Sequence, residues 1–146
     1  MKNFTTATIR EMSAYIHECL PTRSAWDRGV NEYADWMLTH MMEEMESLND
    51  DLQDMPAYMA IDNCLLNGAQ SWTDASYGGS FLIYDHSIAQ LLCTPSELAR
   101  CKGGSRYPNK RETWLDVQAR ALFQASRRVY KAYKHIESLR AAGKEI

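Results

Sequence analysis

An apolar residue returns every seventh position along the last third of the chain, at Leu115, Leu122, Val129 and Ile136, with Ala125, Ala132 and Leu139 beside them. That recurrence gathers the apolar residues on one side of an α-helix and does not fit the two-residue period of a strand. The same winding places Arg120, Arg127, Lys131 and Lys134 together on the opposite side. Asn109, with Glu112 three residues later, is a start signal, and Gly143 is a stop. The pattern predicts a helix from that cap to about residue 142, on the order of 50 Å long at ~1.5 Å per residue. Such a helix is the expected spine of the fold, with an end that projects.

Shorter periodic segments precede it. Over residues 7–20, Thr8 and Glu11 have capping-box form, Ile9, Met12, Ile16 and Cys19 recur at helical spacing, and Pro21 stops the pattern. A second helix begins at Ser24, with Asp27 three residues on; Trp26, Val30, Tyr33, Met37, Met41, Met45 and Leu48 line one face. A third fits residues 56–67, with Asp54 as cap, Pro56 in the first turn and Gly68 as the stop. Met59, Leu66 and either Tyr58 or Leu65 are expected to face inward. Asp85 can cap a helix carrying Ile88, Leu91 and Leu92. Thr94, Pro95 and Glu97 combine an N-cap, a first-turn proline and a capping-box partner, so a short helix to about residue 102 follows.

Residues 69–84 break the pattern. Residues 72–79 read as an irregular loop, and residues 81–84 are one short apolar run. A lone strand has no partner for its backbone groups, so no sheet is inferred. The expectation is an all-α single compact domain, residues 1–146, of five or six helices with a long C-terminal helix and one irregular central loop. The 7 glycines and 4 prolines are too few for a turn-rich β-sandwich.

No stretch approaches the ~20 apolar residues that span a bilayer. The first residues, Met1 to Thr6, contain no secretory apolar core. A cytoplasmic protein without a membrane partner is expected. Cys19, Cys64, Cys93 and Cys101 form no CxxC pair, which argues for reduced structural thiols and no metal site. No cofactor motif is present: the turns at Gly78-Gly79 and Gly103-Gly104 match neither the dinucleotide fingerprint, the phosphate loop nor the nucleophile elbow.

The net charge of −3 hides an asymmetry. Residues 1–100 hold five Lys/Arg and fifteen Asp/Glu, whereas residues 101–146 hold eleven and four. No basic residue occurs between Arg28 and Arg100, while Glu43, Glu44, Glu46, Asp50, Asp51 and Asp54 crowd one helix end. Three arrangements account for this. The acidic and basic helices can pack side by side; Arg106, Lys110, Arg111, Arg120, Arg127, Arg128, Lys131 and Lys134 can form a strip for nucleic acid; or the acidic surface can bind a basic partner.

Few residues suggest chemistry. His40 beside Glu43 and Glu44 lacks the Glu-x-x-His order of di-iron bundles, and His17 and His86 are explained by surface and capping roles. Trp72, Tyr77, Gly78, Gly79, Tyr84, Asp85 and Trp114 form the most plausible ligand or partner surface, because aromatics with polar tips line such surfaces as well as plugging a core. Met37, Met41, Met42 and Met45 fit a core stripe better than an adaptable binding surface.

Three segments carry a resemblance: Tyr77-Gly78-Gly79-Ser80-Phe81-Leu82-Ile83-Tyr84-Asp85, Leu92-Cys93-Thr94-Pro95-Ser96-Glu97-Leu98 and Trp114-Leu115-Asp116-Val117-Gln118-Ala119-Arg120-Ala121-Leu122. Over roughly residues 70–130 the chain is similar to small uncharacterised proteins of gut-bacterial mobile elements, conjugative or phage-like. The resemblance implies a bacterial accessory protein and favours binding over catalysis; it supplies no catalytic residue. The leading expectation is a non-enzymatic binding or adaptor protein acting on a protein partner in the bacterial cytoplasm, a second copy of the chain included. The alternative is a nucleic-acid-binding accessory protein using the basic strip, and the third a small enzyme with a cleft near residues 72–85.

Overall fold

In a computed structural model of the chain, residues 3–54, 56–62, 91–102 and 110–146 are described; residues 40, 43–54, 98, 101, 102, 110–115 and 118 are described by their backbone alone. The helices are α1 (Thr6–Cys19), α2 (Ala25–Asp54), α3 (Pro95–Lys102) and α4 (Lys110–Ala141), with further helical turns at residues 57–62 and 91–92. No strand occurs among the described residues, and the fold is all-α. No helix among them is long and apolar enough to cross a membrane. The irregular loop expected at residues 69–84 and the cap expected at Asn109 lie outside the described residues.

The helix starts follow their hydroxyl caps. Asp27 N–H donates to Ser24 Oγ at 3.0 Å, as expected for the head of α2. Thr94 and Glu97 form the full capping box: Thr94 N–H donates to Glu97 Oε1 at 2.9 Å and Glu97 N–H to Thr94 Oγ1 at 3.2 Å. For α1 the expectation was wrong by one helical turn. The cap is Thr5, whose Oγ1 accepts from Thr8 N–H at 3.1 Å, while Thr5 N–H donates to Thr8 Oγ1 at 3.0 Å. A threonine hydroxyl replaces the usual carboxamide or carboxylate because it both donates and accepts. Glu11 is thereby released for another partner.

The core is the seam where α4 meets α1, α2 and α3. From α4 it takes Val117, Ala121, Ala125, Val129, Ala132 and Ile136, all fully buried. The seven-residue repeat thus captures only part of the seam: Leu122 and Leu139 are half-buried at its margin. Three alanines in this row keep the helix surface narrow, so neighbouring backbones approach closely and the bulk comes from the other side. Ile9, Met12 and Ile16 of α1 and Val30, Met37, Leu38 and Met41 of α2 supply it, each no more than 2% exposed. Met37 and Met41 of the expected methionine stripe therefore serve the core, and Met42 packs partly buried against it.

Close approach recurs at Gly29 in α2. A Cβ there would lie 2.8 Å from Leu92 Cδ2 and 3.0 Å from Leu91 Cβ, inside van der Waals contact. Two other expectations are corrected. Met59 is exposed, and Ala60 and Ile61 turn inward instead; Tyr58, one of two alternatives, is exposed with its hydroxyl donating to Glu137 on α4, and Leu65 and Leu66 lie outside the described residues. Cys19 is exposed rather than buried; Cys19 and Cys93 are free thiols.

The end of α4 does not project. Gly143 adopts φ +92°, a conformation that favours glycine, and Lys144 N–H reaches Leu139 O at 3.0 Å while Gly143 N–H reaches Arg140 O at 3.0 Å. Arg140 then ties this end to the start of the chain, donating to Asn3 O at 2.9 Å, Thr8 Oγ1 at 3.3 Å and Tyr133 Oη at 3.3 Å. A guanidinium has five donors to offer, and Asn3 O, the Thr8 and Tyr133 hydroxyls and Ile146 O accept from them.

The seam predicts an asymmetry within α4. Ala125→Leu should overfill it and cost about 1–3 kcal/mol, lowering Tm by several degrees in a thermal melt. Ala119→Leu, on the exposed side, should change stability by less than ~0.5 kcal/mol.

Candidate functional site

The side of α4 away from the core carries Arg120, Phe123, Arg127, Lys131, Lys134 and Ser138, all exposed and spaced by three or four residues. This is the grouping of Arg120, Arg127, Lys131 and Lys134 that the periodicity predicts. Their environments differ, and that difference defines the site. Arg120 is held: its guanidinium pairs with Glu97 of α3 and lies 5.6 Å from the centre of the Trp26 ring. Burial pushes the Glu97 carboxyl up, but the Thr94 N–H, the Arg120 guanidinium and the Thr94 hydroxyl outweigh it and hold the carboxyl below its usual range. Trp26 is fixed in turn, donating from Nε1 to Gln124 Oε1 at 2.8 Å.

Arg127, Lys131 and Lys134 make no ion pair among the described residues. They span about 10 Å of helix at ~1.5 Å per residue. Phe123 stands one turn before them, 65% exposed, with the Arg127 guanidinium 5.6 Å from its ring centre. Of the three exposed large hydrophobic side chains among the described residues, Tyr58, Met59 and Phe123, it is the one on this charged face. Its signal was in the sequence, four positions before Arg127, but the neighbouring Leu122 of the heptad row masked it.

Arg128 must be taken out of the expected strip. It faces inward, with its side chain 12% exposed, donating from Nη2 to Asp27 Oδ1 at 3.1 Å and from Nη1 to Pro21 O at 3.1 Å and to Asn31 Oδ1. Asn31 is itself buried, and its Nδ2 lies 3.5 Å from Pro21 O. The winding of α4 explains this: position 128 adjoins the seam, whereas 127 and 131 lie outside it. Lys110, Arg111 and Trp114 belong to the first turns of α4, but their side chains are not described. Arg106 and the expected aromatic surface of Trp72, Tyr77, Gly78, Gly79, Tyr84 and Asp85 lie outside the described residues.

Beside these cations, α1 and α4 form a shallow, open groove of about 440 Å³, lined by Tyr15, Leu20, Lys131, Lys134, His135 and Ser138. Its imidazole is positioned from two directions. His135 Nε2 lies 3.0 Å from Glu11 Oε1, and the His135 ring stacks on Tyr15 with centres 4.6 Å apart and planes 18° from parallel. Sequence reasoning missed His135 and Glu11, because their meeting joins positions 124 residues apart with no local signal.

Two further clusters test for catalysis. Ser13 donates to Asp35 Oδ1, and His17 Nε2 lies 3.7 Å from that same oxygen. The carboxylate thus stands between hydroxyl and imidazole, whereas nucleophile activation puts the imidazole next to the hydroxyl. Near residues 57–62, the Tyr58 hydroxyl donates to Glu137 and Tyr130 donates to Asp62. The bond to Glu137 and partial burial push Tyr58 from 10.0 up to about 12, so this phenol holds its proton and serves as a tether. Among the described residues no group of three or more His, Cys, Asp or Glu could hold a metal ion.

The two arginines therefore separate by experiment. Arg128→Ala should cost about 2–4 kcal/mol in urea unfolding, since it strands Asp27 and Asn31. Lys131→Ala should stay within ~0.5 kcal/mol of the parent. Comparison with known proteins finds no matching family model, no matching curated protein and no matching solved structure.

Proposed function

We propose that the protein is a non-enzymatic accessory module that binds single-stranded nucleic acid along the outer face of α4. The observation that carries this reading is the row Arg127, Lys131 and Lys134, exposed and without ion pairs among the described residues, next to the exposed Phe123. Unpaired cations supply attraction to phosphates, and an exposed aromatic ring offers a base something to stack on. Single strands suit it better than duplex, whose bases are already stacked and unavailable to Phe123. The cations left in this row are those the fold does not consume; Arg120 and Arg128 hold helices together instead. A bacterial cytoplasmic setting on a mobile element, the implication of the resemblance over residues 70–130, is consistent with such a partner.

One observation favours a protein partner as the second reading. Tyr58 and Met59 are adjacent and exposed, at 37% and 60%, beside the Tyr130 ring whose centre is 5.5 Å from that of Tyr58. An adaptor surface normally gathers an apolar patch of a few hundred Å², and two side chains make a smaller one. The cationic row is the better-developed feature.

Fluorescence anisotropy with a labelled oligothymidine strand tests the proposal. Three neutralised phosphates give a salt slope of roughly −2 for a single strand, so affinity should fall about 20-fold between 50 and 200 mM salt. Phe123→Ala should weaken binding by a further ~1–3 kcal/mol. Absence of binding at the lower salt, or binding indifferent to salt, contradicts the proposal.

A further inference from the structure

The groove between α1 and α4 differs in kind from the row it adjoins. The row lies along the crest of one helix, where a chain of phosphodiesters can run on in both directions. The groove is a recess between two helices, with Tyr15 and Leu20 on the α1 side and Lys131, Lys134, His135 and Ser138 on the α4 side. Lys131 and Lys134 belong to both, so the row leads into the recess.

We propose that this groove is a site for a terminal phosphate, a phosphomonoester at the end of a strand or on a free nucleotide. The proposal rests on the nucleic-acid reading and specifies which part of the ligand is held where. Charge supports it first. An interior phosphodiester carries a single negative charge, whereas a phosphomonoester carries about −1.5 to −2 near neutral pH. Two ammonium groups three residues apart on one helix have Cβ atoms about 5–6 Å apart, close enough for both to reach one such group. Lysine supplies each as a mobile point charge with three donors.

Size supports it second. The recess is open to solvent and offers about 440 Å³, room for a nucleotide to lie in it while the rest of a strand stays outside. Its apolar part, the Tyr15 ring and Leu20, gives the sugar and base something other than charge to rest against. Preorganisation supports it third. Glu11 holds His135 at Nε2 and Tyr15 stacks on the ring, so the wall is oriented before any ligand arrives. Ser138 already donates its hydroxyl hydrogen to Lys134 O at 3.1 Å. It therefore contributes room more than a donor to phosphate, which makes it the place to block the site.

The test compares one oligothymidine strand with a 5′-hydroxyl, a 5′-phosphate or a 3′-phosphate end, together with adenosine 5′-monophosphate alone. A terminal phosphate should tighten binding about ten-fold at 100 mM salt, and adenosine 5′-monophosphate should compete with the phosphorylated strand. Ser138→Leu, a bulkier neutral side chain at an exposed position, should erase that gain by filling the recess and, because it leaves the charge of the row unchanged, keep the 5′-hydroxyl strand bound within about two-fold. Equal binding of all three strands overturns the groove proposal and leaves the nucleic-acid reading standing. Binding of the nucleotide without either kind of strand supports the groove and overturns the nucleic-acid reading. Binding of none of the probes overturns both.

Discussion

The small side chains at Ala121, Ala125 and Ala132 let α1 and α2 lie close against α4, and the larger residues of those two helices fill the space that results. Packing of this kind is tight in both directions. Removal of bulk from Ile16 or Met37 leaves a cavity, and addition of bulk at the alanines pushes the helices apart. Because α4 touches α1, α2 and α3, its inner side fixes the rotation of the whole helix about its axis. That rotation decides which of its many basic residues meet solvent.

Two arginines show the consequence. Arg128 and Arg140 point to the edges of the seam and spend their donors on Asp27, Asn31 and Pro21 in one case, and on Asn3, Thr8 and Tyr133 in the other. Each ties the last third of the chain to its beginning. The charge asymmetry of the sequence is thus partly absorbed by ion pairs between helices, Asp27–Arg128 and Glu97–Arg120. What is left over, Arg127, Lys131 and Lys134, gathers on the outer side. Ion pairs from α4 to its neighbours and an outward group of cations are therefore both present among the described residues.

Much of this was legible in the chain because helical period and capping chemistry are local. Ser24, the Thr94–Glu97 pair and Gly143 act as read, and the outward grouping of Arg127, Lys131 and Lys134 follows from spacing alone. The failures are of two physical kinds. Thr5 caps α1 in place of Thr8 because a threonine can serve as either partner of a capping box, which the usual Ser/Thr-x-x-Glu template does not represent. Arg128, Met59 and His135 failed for another reason. Their surroundings are set by residues that are distant in sequence, and a position next to a seam can turn inward or outward depending on what waits there. For Arg128 the waiting groups are a carboxylate, an amide and a carbonyl, which together repay the loss of water.

Native-state hydrogen exchange tests the central claim, that the inner side of α4 organises the fold and leaves its outer side free. The slowest amides should lie in α4 between Val117 and Ile136 and in the facing parts of α1 and α2, opening only with global unfolding, and Lys131→Ala should leave them unchanged. Exchange of α4 through low-energy openings, while α1 and α2 stay protected, would show that the first two helices are stable without it and would contradict the account.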